Sequence, residues 1–324
     1  MRKTVERVAA TAGAFVVTGV AATVLKKSIQ DRRKSQREDI EPFGSIRGFT
    51  TDVIAEDGVA IRVEVDPGPI PTVIFIHGWL CDMDVWHFQR LALRGKARLV
   101  FMDIRSHGKS GKALSDRCTI DDLADDLYRV IDELAPSGPV VLVGHSMGGM
   151  TIQRLAGIAP KLFGERIVGA VLIATSYGGL GNSSPALRSL GPLIRRISPL
   201  LDWGREFNSY SVIKRWGVGP NASATAVDLT NELITRAPTR IVVDFYPLIA
   251  QLNVESQLEP ISRIKTAIVC GSRDVMTPPS HSKRLAKVLP DAEFVSVRGS
   301  GHMVMFEEPD QVTAVIENLI EEFS

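Results

Sequence analysis

The 324-residue sequence predicts an α/β protein: a mostly parallel, eight-stranded sheet with helices on both faces and a helical cap inserted late in the chain. Three observations predict it. Short apolar runs alternate with helix-capable stretches, the rhythm of strands joined by crossover helices. The run Val140–Val143 leads directly into Gly144-His145-Ser146-Met147-Gly148, a Gly-x-Ser-x-Gly set between a strand and a helix. The alternation stops after Tyr177 and resumes near Ala267, as an insertion would make it do.

The elements follow in order. Phe49–Ala55 and Val59–Val65 are β-like runs separated by Glu56-Asp57-Gly58, and Asp-Gly is a strong hairpin signal. This hairpin supplies an antiparallel edge. Thr72–Ile76 is a short, wholly apolar strand. Met83 to about Arg94 is helix-capable, and Leu99–Met102 is the next strand. Thr119 with Asp121-Asp122 marks a helix start, followed by Leu123, Leu127, Val130, Ile131 and Leu134 at helical spacing. Pro136-Ser137-Gly138-Pro139 ends that helix and leads into the Val140 strand. Val168–Ala174 is a further strand. Between Tyr177 and Pro260 amphipathic pieces dominate: Leu187–Ile197, Leu200–Val212, Ala224–Thr235 and Ile241–Leu252. Ala267–Cys270, a helix near Ser280–Val288, the strand Glu293–Val297 and a helix from Asp310 to Phe323 complete the pattern. The expected organisation is a core of 45–176 and 261–324, a cap of 177–260, and an N-terminal segment of 1–44.

The chemistry is concentrated at the carboxyl ends of the strands, where open α/β sheets bind their ligands. A strand-to-helix turn as sharp as Gly-x-Ser-x-Gly needs small residues two places either side of the serine, and Gly144 and Gly148 stand there. The turn pushes the Ser146 hydroxyl out of the sheet. A serine hydroxyl is a weak nucleophile and needs a base, and the base needs an orienting group. On this architecture the order is serine, acid, histidine. Two histidines follow Ser146. His281 falls inside a helix, whereas His302 lies in the tight loop Gly299-Ser300-Gly301-His302 after the last strand, so His302 is the expected base. Asp274, in Gly271-Ser272-Arg273-Asp274 after the preceding strand, is the expected acid, with Asp228 a distant alternative. Met147, at the helix start, offers a backbone N–H to a developing oxyanion. Gly78 lets the loop after Thr72–Ile76 approach closely, which makes the N–H of Trp79 the second donor while its indole packs on the pocket wall. His77 and the segment Asp103–Ser110 are read as structural: Asp103 and His107 precede Ser146, the wrong order for the triad.

These residues, His77-Gly78, Asp103–Ser110, Gly144–Gly149, Asp274 and Gly301-His302, resemble the α/β-hydrolase superfamily. The likeness is to the branch of small esterases, monoacylglycerol lipase-like enzymes and cofactor-free haloperoxidase-like perhydrolases. It covers roughly Thr72 to Phe323, with the insertion as the variable cap. It implies a serine hydrolase of carboxylic esters acting through an acyl-enzyme, with perhydrolase, thioesterase and lactonase chemistry open to the same machinery. Relatives that open epoxides or cleave carbon–halogen bonds carry an aspartate nucleophile, and position 146 is serine. The triad itself supplies nucleophile, base and acid, so neither a cofactor nor a metal is implied. A non-catalytic, membrane-associated binding protein on the same frame is the alternative of another class, and the complete triad argues against it. In the cap, Trp203, Phe207 and Trp216 are the expected substrate-binding side chains, among apolar neighbours that otherwise pack the cap onto the core. The expected partner is a small, hydrophobic, lipid-derived or similar ester.

Composition narrows the rest. A net charge of +1 gives no global basic field for nucleic acid. Cys81, Cys118 and Cys270 form no disulfide or zinc spacing. Val8–Leu25 carries no charged residue, follows Arg2, Lys3 and Arg7, and precedes Lys26, Lys27 and Arg32-Arg33-Lys34. The run is at the lower limit for a membrane span and reads as a membrane anchor. The following basic cluster argues against a cleaved signal peptide, and a helix lying on a surface is a third reading. The heavier basic flank lies on the C-terminal side, which places the catalytic domain in the cytoplasm. Gln30 to Gly44 reads as a linker.

Overall fold

A computed structural model of the chain describes residues 41–113, 118–180 and 209–324. The apolar run Val8–Leu25 lies outside them, as do Trp203, Phe207, the amphipathic piece Leu187–Ile197 and residues 200–208 of the piece Leu200–Val212. Among the described residues no helix is long and apolar enough to cross a membrane.

Eight strands form one sheet: β1 (Phe49–Ile54), β2 (Ala60–Asp66), β3 (Thr72–Ile76), β4 (Arg98–Met102), β5 (Val140–His145), β6 (Ile167–Ile173), β7 (Lys265–Gly271) and β8 (Glu293–Val297), in the order β1-β2-β4-β3-β5-β6-β7-β8. β1 and β2 make the expected hairpin, and β2 also pairs antiparallel with β4. Every other pairing is parallel. The hairpin turns at Gly58, with φ at 85°, the left-handed region that glycine enters without strain.

The central strands read as continuous apolar runs because both faces are covered. Ile74, Ile76, Val100, Met102 and Leu142 pack with Leu123 and Leu127 of α2 (Ile120–Leu134) and with Ile152 and Leu155 of α3 (Met147–Ile158). The alternate residues Val73, Phe75, Phe101, Val141 and Val143 pack on the other face with Leu93 of α1 (His87–Leu93) and with Val312 and Ile316 of the C-terminal helix Pro309–Glu322. Burying each such side chain is worth about 1.5–3 kcal/mol, so the two layers fix the sheet from both sides.

The helix expected over Met83–Arg94 is divided. Met83–Trp86 is a 3₁₀ turn, and α1 begins only at His87. The Asp82 carboxylate accepts the Asp84 N–H at 2.9 Å, a cap that favours a tight first turn. α2 starts as the sequence implies: Thr119 and Asp122 form a reciprocal capping box.

Between β6 and β7 the described residues form α4 (Ser209–Trp216), α5 (Ala224–Arg236) and α6 (Thr239–Gln251). These helices are tied to the rest of the molecule by charge and by backbone. The Arg236 guanidinium contacts Asp84 at 2.6 Å and Asp82 at 3.3 Å and lies over the Phe43 ring. The Met303 N–H donates to the Gly217 carbonyl at 3.0 Å. After β7, α7 (Pro279–Val288) opens with Pro279 at its first position, where a missing N–H costs nothing. The C-terminal helix Pro309–Glu322 is α8.

Candidate active site

Ser146 sits at the junction of β5 and α3 with φ 52° and ψ −113°. A non-glycine residue held there stores of order 1–3 kcal/mol of strain, so its surroundings must enforce it. They do: the Ser146 N–H donates to Ile173 O at 2.8 Å, and its carbonyl accepts from Thr175 Oγ1 at 2.7 Å and from the Met150 N–H at 3.1 Å. The small residues are equally constrained. A Cβ on Gly148 would lie 2.1 Å from the Ile76 carbonyl oxygen. A Cβ on Gly78 would lie 2.7 Å from His145 Nδ1 and 3.1 Å from Ser146 Cβ. The loop after β3 therefore runs directly against the serine, and only glycine permits the approach.

Asp274 and His302 are placed by stitching between the loops that follow β7 and β8. The Ser272 N–H donates to Val297 O, the Arg273 N–H to Ser300 O, and the Gly299 N–H to Ser272 Oγ, all within 2.9 Å. His302 Nδ1 then stands 2.8 Å from Asp274 Oδ2. The other Asp274 oxygen accepts the N–H groups of Met276 and Thr277 at 2.8 and 2.9 Å. Both residues are buried. Since the carboxylate accepts, Nδ1 carries the proton and Nε2 is left as the basic nitrogen.

Ser146, His302, Trp79 and Trp216 line one cavity of about 230 Å³. Its wall is otherwise mostly apolar, with Leu80, Met150, Ile213, Ile234 and Ile249 among the contributors. The structure thus brings together all three expected triad members: Ser146 and His302 face the cavity, and Asp274 stands behind the ring. Met147 is fully buried as the first residue of α3, where first-turn N–H groups have no intrahelical acceptor. Trp79 follows Gly78 in the loop against Ser146, and its indole donates to Ile241 O of α6 at 3.2 Å. Trp216 reaches the cavity from α4 and is half exposed. Asp228 lies on α5; the carboxylate on the His302 ring is Asp274.

Two contributors had no signal strong enough to single them out in the sequence. The Thr277 hydroxyl lies 2.8 Å from both Ala174 O and Asp274 Oδ2 and 3.3 Å from His302 Nδ1. It touches both the carboxylate and the ring, and Asp-x-x-Thr is a spacing at which such local side-chain contacts form. Glu307 accepts the N–H of Gly301 at 2.9 Å and that of Gly219 at 2.7 Å. It clamps the His302 loop to the segment between α4 and α5. Burial pushes its carboxyl above the usual range, and those two N–H groups pull it back.

The remaining histidines are occupied elsewhere. His145 donates from Nε2 to the His302 carbonyl at 3.1 Å, and burial beside the His302 ring holds its pKa well below the usual value. His77 donates from Nδ1 to Gly78 O at 2.8 Å and accepts the Ile104 N–H at Nε2 at 2.9 Å. That pair of contacts fixes the neutral tautomer, and burial drives the pKa to about 3. His281, on α7, has Nδ1 2.8 Å from Ser176 Oγ. Arg105, in the Asp103–Ser110 turn, is bound by Asp126 and Asp57, so this segment ties the turn to its neighbours. The three cysteines are buried free thiols.

An open, mostly parallel sheet with a strained serine elbow and a histidine–carboxylate pair on the adjoining loops defines an α/β enzyme of the hydrolase type. The matching family model, described as the alpha/beta hydrolase family, spans residues 73–315, and the chain belongs to that family. It is 26% identical over 309 residues to the uncharacterized hydrolase YugF of Bacillus subtilis, a match covering 87% of this chain and 100% of that protein. It is also 26% identical over 254 residues to the dihydrolipoyllysine-residue acetyltransferase component of the acetoin cleaving system of Pseudomonas putida, covering 74% of this chain but 60% of that protein. The chain thus spans less than two thirds of that second relative. Among solved structures, a thermophilic esterase from Thermogutta terrifontis has the same fold, with a TM-score of 0.70 at 24% identity over 85% of this chain and 99% of that one.

Proposed function

We propose that the protein is a serine hydrolase of carboxylic esters with hydrophobic acyl groups. The observation that carries this reading is the convergence of Ser146, strained at its elbow, and His302, bonded to Asp274, on one apolar cavity. Ser146 Oγ attacks the ester carbonyl while His302 Nε2 takes its proton. The backbone N–H groups of Met147 and Trp79 hold the oxyanion. The imidazolium returns the proton to the leaving alkoxide, giving an acyl-enzyme, and the same ring then activates the water that releases the acid. Asp274 keeps the proton of His302 on Nδ1 and stabilises the cation that forms. The apolar wall, to which Trp216 contributes, selects hydrocarbon acyl groups; Trp203 and Phe207 belong to the same proposal on sequence grounds.

The test is labelling of the full chain with a fluorophosphonate, beside turnover of p-nitrophenyl esters of increasing chain length. Labelling and turnover that vanish in Ser146→Ala, with an optimum beyond acetyl, support the reading. Folded protein that neither labels nor turns over an ester overturns it. Membrane attachment through residues 8–25, with the catalytic domain cytoplasmic, is proposed from the apolar run and its basic flanks. Alkaline carbonate extraction of membranes tests it: release of the full chain into the supernatant removes the anchor.

A further inference from the structure

The loop that carries His302 rests on the segment that follows α4. The Met303 N–H donates to Gly217 O at 3.0 Å. The two backbones run so close that a Cβ on Gly219 would lie 2.1 Å from Gly299 O, and one on Gly301 would lie 2.4 Å from the Val218 carbonyl carbon. Glu307 closes this contact. It stands at the end of the short helix Val304–Glu307 that follows the base, and its two oxygens are divided between the two backbones. Oε1 accepts the Gly301 N–H at 2.9 Å, and Oε2 accepts the Gly219 N–H at 2.7 Å. Ile213 and Trp216 of α4, with Gly217, line the cavity. One carboxylate therefore joins a wall of the cavity to the loop that carries the base.

Asp274 orients the His302 ring through Nδ1. Where Nε2 stands beside Ser146 depends also on the backbone beneath the ring. That backbone is held at the His302 carbonyl by His145 Nε2 and, one residue earlier, at the Gly301 N–H by Glu307. A charged acceptor makes shorter and stronger bonds than a neutral one, and a reacting group displaced by about 1 Å can lose on the order of 10²-fold in rate. Resting on the ester-hydrolase reading above, we infer that Glu307 is a positioning residue for the base: it touches no reacting atom, and it places His302 Nε2 for the Ser146 hydroxyl by fixing the His302 loop against the inserted helices.

The test is a split between kcat and KM in the full chain. Glu307→Gln keeps the length of the side chain, but its amide oxygen serves one N–H while its own N–H groups face the other. For p-nitrophenyl octanoate, kcat per fluorophosphonate-titrated site should fall tenfold or more with KM nearly constant, and the rate constant of labelling should fall with kcat. Glu307→Asp keeps the charge on a shorter arm and should lie between glutamine and wild type. A clamp that serves the fold alone would lower the urea midpoint and leave kcat and the labelling rate at wild-type values; that result, or a loss carried by KM alone, overturns the assignment. If the glutamine variant does not fold, the aspartate variant is read by the same split, and loss of the fold in both overturns the assignment as well. Wild type that neither labels nor turns over the ester sinks the hydrolase reading and with it the role of Glu307, whereas an active wild type matched by Glu307→Gln sinks Glu307 alone.

Discussion

Two histidine–aspartate pairs stand at the carboxyl ends of adjacent strands. His302 and Asp274 follow β8 and β7; His77 and Asp103 follow β3 and β4. The residue types are the same and both pairs are buried, but their proton arrangements differ. His302 presents a nitrogen to its carboxylate at 2.8 Å. The nearest nitrogen of His77 is 3.9 Å from Asp103 Oδ1, and it already accepts the Ile104 N–H, so it has no proton to offer. Asp103 is spent on the N–H groups of Met83 and Lys109, each at 2.8 Å. Only the first pair adjoins the cavity. What separates the pair proposed as reactive from the structural one is which nitrogen carries the proton and whether the other meets open space.

The comparison breaks most sharply at the histidines. His302→Ala or Ser146→Ala should lower ester turnover by on the order of 10⁴–10⁶ while urea unfolding of either variant stays close to wild type. His77→Ala should do the reverse, shifting the unfolding midpoint while the active-site titre, counted per folded molecule with a fluorophosphonate, keeps its turnover. A His77 variant that folds as well as wild type and loses turnover as His302→Ala does would erase the distinction.

At the carboxylates the expected effects are nearly as far apart. Asp274→Asn preserves shape but offers an N–H where the ring needs an acceptor, which favours the wrong tautomer and should reduce kcat by about 10⁴. Asp103→Asn can accept only one of its two backbone N–H groups, which should destabilise the fold by about 1–3 kcal/mol with turnover per folded molecule little changed. Thr277 sharpens the contrast at smaller amplitude. Thr277→Val removes a hydroxyl from a charged carboxylate, a loss of about 1.5–3 kcal/mol, read as a tenfold or larger fall in kcat with KM nearly constant. Thr277→Ser should restore most of it; a valine variant with wild-type kcat would make the hydroxyl incidental.

The sheet and the meeting of His302 with Asp274 beside Ser146 were legible because each rests on local rules. Apolar runs bounded by turn residues gave all eight strands to within two residues or so at either end, and the order of serine, acid and histidine selected Asp274 and His302 over Asp228 and His281. What the sequence hid depends on contacts made across the fold. The break between the Met83–Trp86 turn and α1 is marked by no change in the apolar pattern. Thr277 matters only because Ala174, 103 residues earlier, fixes its hydroxyl. Glu307 joins two loops that no periodicity connects. The described stretch between β6 and β7 was the least legible, because apolar residues such as Ile213, Ile234 and Ile249 line the cavity at spacings that equally suit packing.

The smallest expected effect concerns the ring that neighbours the structural pair. His107 donates from Nδ1 to Arg105 O at 3.0 Å, its Nε2 is buried without a partner, and it packs edge-on to Phe245 and 5.4 Å from the His77 ring. Burial lowers its pKa to about 4. In the unfolded chain the ring takes up a proton below about 6.5; in the folded chain it stays neutral down to about 4. Between those values the unfolded state binds more protons, so stability falls as pH drops, by up to about 1.4 kcal/mol per pH unit for this ring. His77 acts in the same direction, whereas the buried carboxyls of Asp103 and Asp126, pushed up to about 7 and about 6, act oppositely, so the informative quantity is a difference between proteins. His107→Gln should be less stable than wild type at pH 7, where it loses a packed ring, and the gap should narrow by roughly 2 kcal/mol at pH 4.5, measured from urea midpoints at the two pH values. A gap that stays constant would mean the ring charges as readily folded as unfolded, and would move His107 out of the structural group and toward the solvated side of the comparison.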